Sequence, residues 1–114
     1  MSDLMITLAI GGAGGVGAVL RWLIIRWQGV LPFGLFAVNI LAGAIAGYIY
    51  THNWTFDMIL IASIGLAGGL STFAGVAKDA FEYYHRGRLA QMSLTLAINI
   101  LMPILAMRLV MWAL

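Results

Sequence analysis

Gly68-Gly69-Leu70-Ser71-Thr72-Phe73-Ala74-Gly75 interrupts an apolar segment with small and hydroxyl-bearing residues. From Met58 to Ala77 the segment around it has no Asp, Glu, Lys or Arg. About 20 mostly apolar residues suffice to cross a bilayer as a helix. A polar break at that depth persists only where protein or water satisfies the freed backbone groups. Discontinuous helices of this kind line ion and substrate sites in transport proteins. The break is therefore the first place to look for function.

Working outward, three further windows lack those four residue types: Leu4 to Leu20, Trp27 to Phe56 and Leu89 to Met107. With 63% hydrophobic and 9% charged residues in 114, the composition excludes an ordinary water-soluble domain. The pattern predicts an all-α membrane protein, one domain over residues 1–114. Its four helices fall at about 4–26, 33–51, 57–84 and 89–112, the third broken at midmembrane. The start has no basic lead and no obvious cleavage site, so the first segment is expected to be a retained helix. No cysteine is present, which excludes thiol chemistry and thiolate metal sites. A net charge of +2 supports neither nucleic-acid binding nor a polybasic tail.

The placement of the basic residues says more than their number. Four spans put the N-terminus, the 52–56 link and the C-terminus on one side, and the 27–32 and 85–88 links on the other. Arg26, Lys78, Arg86 and Arg88 fall on or near that second side, with Arg21 one turn deeper. His52 and Arg108 lie toward the first. Positive charge stays in the cytoplasm, so both termini are expected outside, in a multi-pass protein of the inner (plasma) membrane with one fixed orientation.

Gly11, Gly12, Gly14, Gly15 and Gly17 on the first helix, and Gly43 and Gly47 on the second, allow close helix approach in lipid. Four thin helices enclose little polar path alone, so an oligomer is expected. Trp22, Trp27, Trp54, Tyr83, Tyr84 and Trp112 gather near helix ends as an interfacial belt requires. Polar groups within the spans are costly and each invites a role. Asn39 offers two amide donors, suited either to a dehydrating anion or to an interhelical hydrogen bond, and the sequence leaves both open. Ser71 and Thr72 suit capping of the helix that restarts after the glycines, alongside exposure of carbonyls to a cation and amides to an anion. Phe73 presents a ring edge of partial positive charge, although packing is the commoner use of a membrane Phe. Arg21 is placed to snorkel, to make a structural hydrogen bond, or to attract anions at a pore mouth. Asn99 and Pro103 share one face of the fourth helix, where Asn99 is positioned to bridge to a neighbour and Pro103 to kink the helix. Enzyme chemistry finds no acid–base pair or nucleophile–His constellation within the spans, and His52 and His85 lie on opposite sides.

These motifs together resemble the CrcB/Fluc fluoride channels, small four-helix membrane proteins that let fluoride leave the cytoplasm. The resemblance covers essentially the whole chain. It rests on Gly11-Gly12-Ala13-Gly14-Gly15-Val16-Gly17-Ala18-Val19-Leu20-Arg21-Trp22, on Val38-Asn39 with Gly43 and Gly47, and on Gly68 to Phe73. It implies an antiparallel dimer with two narrow pores at the subunit interface and a structural sodium ion at its centre. By resemblance the sodium ligands are the backbone carbonyls of Gly68 and Ser71. Asn39 matches the asparagine that donates to permeating fluoride, and Arg21 the arginine of the first helix. Phe73 matches the first of two pore phenylalanines, with Ser71 and Thr72 beside it.

The departures are informative. The family's motif continues past Phe73 with Ser-Thr-Phe, whereas this chain has Ala74-Gly75-Val76, so Val76 replaces the second pore phenylalanine. The fourth helix of the family carries hydroxyl or similar groups at four-residue spacing. The positions here are Asn99, Pro103 and Met107. A homodimer would carry the deficiency in both pores, whereas a complete partner would restore one. The basic bias also argues against copies inserting both ways. Both features favour a heterodimer subunit over a homodimer. Two other readings compete: a non-conducting structural or regulatory subunit, and a small multidrug exporter. The exporter needs a membrane-embedded carboxylate, and none occurs from Leu4 to Phe56. An epitope tag after Leu114 should be reached by antibody only from outside intact spheroplasts. Equal labelling from both sides would overturn the fixed orientation.

Overall fold

The computed structural model describes residues 2–113, and every regular element in them is helical. Helix α1 runs Asp3–Ile24. The Ser2 hydroxyl accepts the Met5 N–H at 3.2 Å, and Asp3 places negative charge at the positive end of the helix dipole. Two residues short of the expected end at 26, the chain turns where the Trp27 N–H reaches the Ile24 carbonyl at 3.0 Å. Helix α2 runs Phe33–Thr51 behind Pro32. The third span covers Phe56–His85 in pieces. Thr55 caps α3 (Phe56–Leu60), which widens into a π-helical stretch, Ile61–Ala67, and tightens again as α4 (Gly68–Leu70). After Ser71 and Thr72, α5 runs Phe73–His85. Gly87 then takes φ +73°, a left-handed turn that glycine adopts without Cβ strain. Helix α6 runs Leu89–Ala113 through Pro103. Four helical stretches are thus long and apolar enough to cross a membrane.

The break differs in detail from the expectation. Gly68 is helical (φ −64°, ψ −39°), and the chain leaves the helix only at Ser71 (ψ 155°) and Thr72 (φ −152°, ψ 118°). The glycines serve packing instead of bending. A Cβ on Gly69 would collide with the Gly14 carbonyl oxygen. One on Gly17 would stand 2.5 Å from the Leu66 carbonyl oxygen and 2.8 Å from the Leu70 nitrogen. Backbone touches backbone here, the arrangement small residues permit in lipid. Of the five α1 glycines only Gly14 and Gly17 face the third span; Gly11, Gly12 and Gly15 face open space.

Helix α2 is the centre of the molecule. It buries Leu35, Phe36, Val38, Asn39, Ala42 and Ile49, while α1 buries only Gly17 and α6 only Thr95. Helix α6 lies along α2, closest where Gly43 meets the Pro103 backbone and Gly47 meets that of Met107. Helix α1 packs on the π-helical stretch and α4, and α5 returns to α6. The result is a slab of 51 × 31 × 17 Å whose outer helices turn apolar side chains outward. At one end the Tyr83 hydroxyl and Gln91 Nε2 donate to the Val30 carbonyl at 3.3 and 3.5 Å. That tie gathers the α1–α2 and α5–α6 links, and with them Arg26, Arg86 and Arg88. Arg26 also lies 3.7 Å over the Trp22 ring. At the other end His52 stacks on Tyr48 with ring centroids 4.0 Å apart.

Gly17→Val should cost about 3 kcal/mol, because backbone atoms cannot move aside as a side chain can. Gly11→Ala, facing open space, should stay within about 0.5 kcal/mol. Reversible unfolding in detergent measures both, and equal effects would refute the assigned α1 face.

Candidate functional site

Where the third span opens, two half-helices end facing one another. Thr72 is the N-cap of α5: its hydroxyl accepts the Gly75 N–H at 3.1 Å. The capping role expected of at least one hydroxyl thus falls to Thr72. The Thr72 N–H, which an unbroken helix would give to the Gly68 carbonyl, donates instead to Asn39 Oδ1 at 2.9 Å. The carbonyls ending α4 are therefore released from the helix ladder, and they carry the negative end of its dipole. The amides opening α5 carry the positive end.

Asn39 is 8% exposed and joins three elements. Besides accepting from Thr72, its Nδ2 donates to Asn99 Oδ1 at 2.7 Å and makes a long 3.4 Å contact to the Thr72 carbonyl. Asn99 Nδ2 donates in turn to the Thr95 carbonyl at 2.8 Å. The neighbour expected for Asn99 is Asn39 itself. Of the two uses open to Asn39, the interhelical hydrogen bond is present in the fold.

A cleft of about 430 Å³, open along one side, lies between α2, the broken span and α6. Asn39, Ser63, Ser71, Thr72 and Asn99 give it neutral polar groups, and Phe73, Val76 and Pro103 give it apolar ones. Among the described residues no ionisable side chain lines it, and no cluster of His, Cys, Asp or Glu is suited to a metal. Any ion held here is met by amides, hydroxyls, carbonyls and ring edges.

The expected site residues divide by position. Asn39, Gly68, Ser71, Thr72, Phe73 and Val76 all line this cleft. Arg21 lies outside its lining but reaches its edge, where Nη1 makes a 3.5 Å contact to the Ser71 carbonyl. That contact brings a positive guanidinium beside the Ser71 carbonyl. Phe73 is 74% exposed, whereas Val76 is 2% exposed and packed within the fold. Two features escape the sequence reading. Ser63 joins the lining from the π-helical stretch. Thr95 is wholly buried and its hydroxyl has no hydrogen-bond partner among the described residues. The available sign was that both are polar residues inside apolar spans; nothing in their spacing marks the π-helical widening.

Comparison with known proteins bears on the whole chain. The family model described as "CrcB-like protein, Camphor Resistance (CrcB)" matches residues 8–111. A protein of Serratia proteamaculans named "Fluoride-specific ion channel FluC" is 36% identical, covering 92% of this chain and 93% of its own. One of that name from Paraburkholderia xenovorans is 36% identical over 72% of each chain. Another, from Bacteroides fragilis, is 32% identical over 90% of this chain and 88% of its own. With the family model covering residues 8–111 and relatives of this identity covering most of its length, the chain belongs to the CrcB-like family.

Proposed function

We propose that this chain is a subunit of a fluoride-selective channel that lets fluoride leave the cytoplasm passively, without catalysing a reaction. The observation carrying this reading is the cleft of neutral donors at the broken span, in a chain similar over nearly its whole length to fluoride-specific channels. A fluoride ion entering an apolar membrane loses water and must find hydrogen-bond donors in its place. Amide and hydroxyl groups of Asn39, Ser71 and Thr72 are of that kind, as is the Phe73 ring edge. Arg21, beyond the lining, adds positive potential at the break.

A sodium ion belongs to the same proposal. The Gly68 and Ser71 carbonyls, at the negative end of α4, are the groups that would hold it. Bound there, it would supply positive charge next to the anion path. The proposed assembly is an antiparallel dimer in the inner membrane, both termini of this chain outside. The gathering of Arg26, Arg86 and Arg88 at one end supports that orientation. A different partner subunit is preferred over a second copy. Phe73 is presented at the surface while Val76 is packed away, so this chain offers one aromatic ring where the family uses two.

Fluoride efflux from liposomes tests the proposal. The chain alone should release fluoride slowly, and the chain with a family member that keeps both phenylalanines should release it at least about tenfold faster. Efflux from the chain alone at the rate of complete family members would overturn the heterodimer. No efflux in either preparation would favour a non-conducting subunit.

A further inference from the structure

The polarity of the amide chain across the cleft is fixed from both ends by backbone groups. The Thr72 N–H can only donate, so the Asn39 atom facing it at 2.9 Å is the oxygen. Asn39 Nδ2 must then point to the other side, toward α6. Independently, the Thr95 carbonyl can only accept, so the Asn99 atom facing it at 2.8 Å is the nitrogen. That turns Asn99 Oδ1 toward Asn39. The two constraints agree on a 2.7 Å bond from Asn39 Nδ2 to Asn99 Oδ1, the shortest of these three. Both residues line the cleft. The second Asn39 N–H has only the long 3.4 Å contact to Thr72. One of the two Asn39 N–H groups is therefore occupied by an acceptor oxygen.

We propose that Asn99 Oδ1 is a tethered competitor for the anion position at Asn39, so that an ion gains the N–H facing α6 only by displacing it. The idea rests on the fluoride-channel reading and assigns Asn99 the role of specificity-determining residue. A small hard anion binds an amide N–H more strongly than a neutral carbonyl oxygen does, because charge-assisted hydrogen bonds are about twice as strong. A large, diffuse anion gains less and is refused. Asn99 cannot turn its own Nδ2 toward the ion without giving up its bond to the Thr95 carbonyl. The contact thus lowers throughput and sharpens selection together.

The test compares wild type, Asn99→Ala and Asn99→Ser, each assembled with the complementary subunit in liposomes loaded with fluoride or chloride. Releasing the donor should raise fluoride efflux per folded channel about fivefold, the weight of one neutral hydrogen bond. The fluoride-to-chloride ratio should fall at the same time. Efflux unchanged or reduced per folded channel, with the ratio unchanged, would overturn the proposal and leave Asn99 a packing residue. Asn99→Ser keeps a polar group there and serves if Asn99→Ala does not assemble. Hydrogen exchange of the Asn39 side-chain amide in micelles, read by NMR, separates this idea from the reading beneath it. If no preparation conducts fluoride, the channel reading fails. The occupied donor on which the competitor depends is still supported if Asn39 amide exchange quickens about fivefold in the variants, and refuted if exchange is unchanged.

Discussion

Inside a membrane, a broken helix exposes peptide groups that no lipid can satisfy, and each one left bare costs several kcal/mol. The structure meets that demand at Thr72 with the side chain of Asn39, 33 residues earlier in the chain. Everything around the break is arranged so that this bond can form. Helix α2 sits at the centre of the slab, which holds Asn39 beside the third span. Gly17 and Gly69 bring α1 and the half of that span before the break to backbone contact. Gly43 and Gly47 do the same for α2 and α6, and that approach brings Asn99 within 2.7 Å of Asn39.

The same bond shapes what the cleft can do. Removing the Thr72 amide from the helix ladder frees the Gly68 carbonyl, and the Arg21 guanidinium lies 3.5 Å from the carbonyl of Ser71. Capping by Thr72 organises the first amides of α5 on the opposite lip. Helix-ending carbonyls and helix-opening amides therefore meet at the break, with no ionisable side chain in the described lining. Neutral groups fit an ion that must pass, because a buried opposite charge would bind too tightly to release it. In the proposed channel, structure and function draw on one amide: Asn39 Oδ1 holds the break together, while Asn39 Nδ2 is the donor an anion would want.

The surface carries the complementary information. Helices α1 and α6 bury almost nothing in the protomer, and Gly11, Gly12 and Gly15 present an open face. Phe73 stands out beside the cleft while Val76 is buried. A chain so thin, 17 Å in its shortest dimension, cannot surround an ion path alone. The exposed ring and the open side of the cleft fit the dimeric pore proposed above.

Much of this was legible in the residues. Runs free of charge specify four spans, because ionised groups are excluded from hydrocarbon. The motif from Gly68 to Phe73 locates the break and, with the α1 glycines and Asn39, points to the family. What a linear pattern cannot carry is which group satisfies which. Sequence places glycines at the break, but only packing reveals that they remain helical and serve close approach, leaving the bend to Ser71 and Thr72. It leaves Asn39 suspended between anion donor and interhelical tie. The Thr72 amide, the Asn99 side chain and the Thr95 carbonyl lie 33, 60 and 56 positions away, and the fold alone brings them into one chain of hydrogen bonds. The sequence by itself determined the spans, the family and the place of the break, since these follow from local hydrophobicity and short motifs. Tertiary structure decided the partner of each polar atom, since a hydrogen bond is set by distance and direction in space.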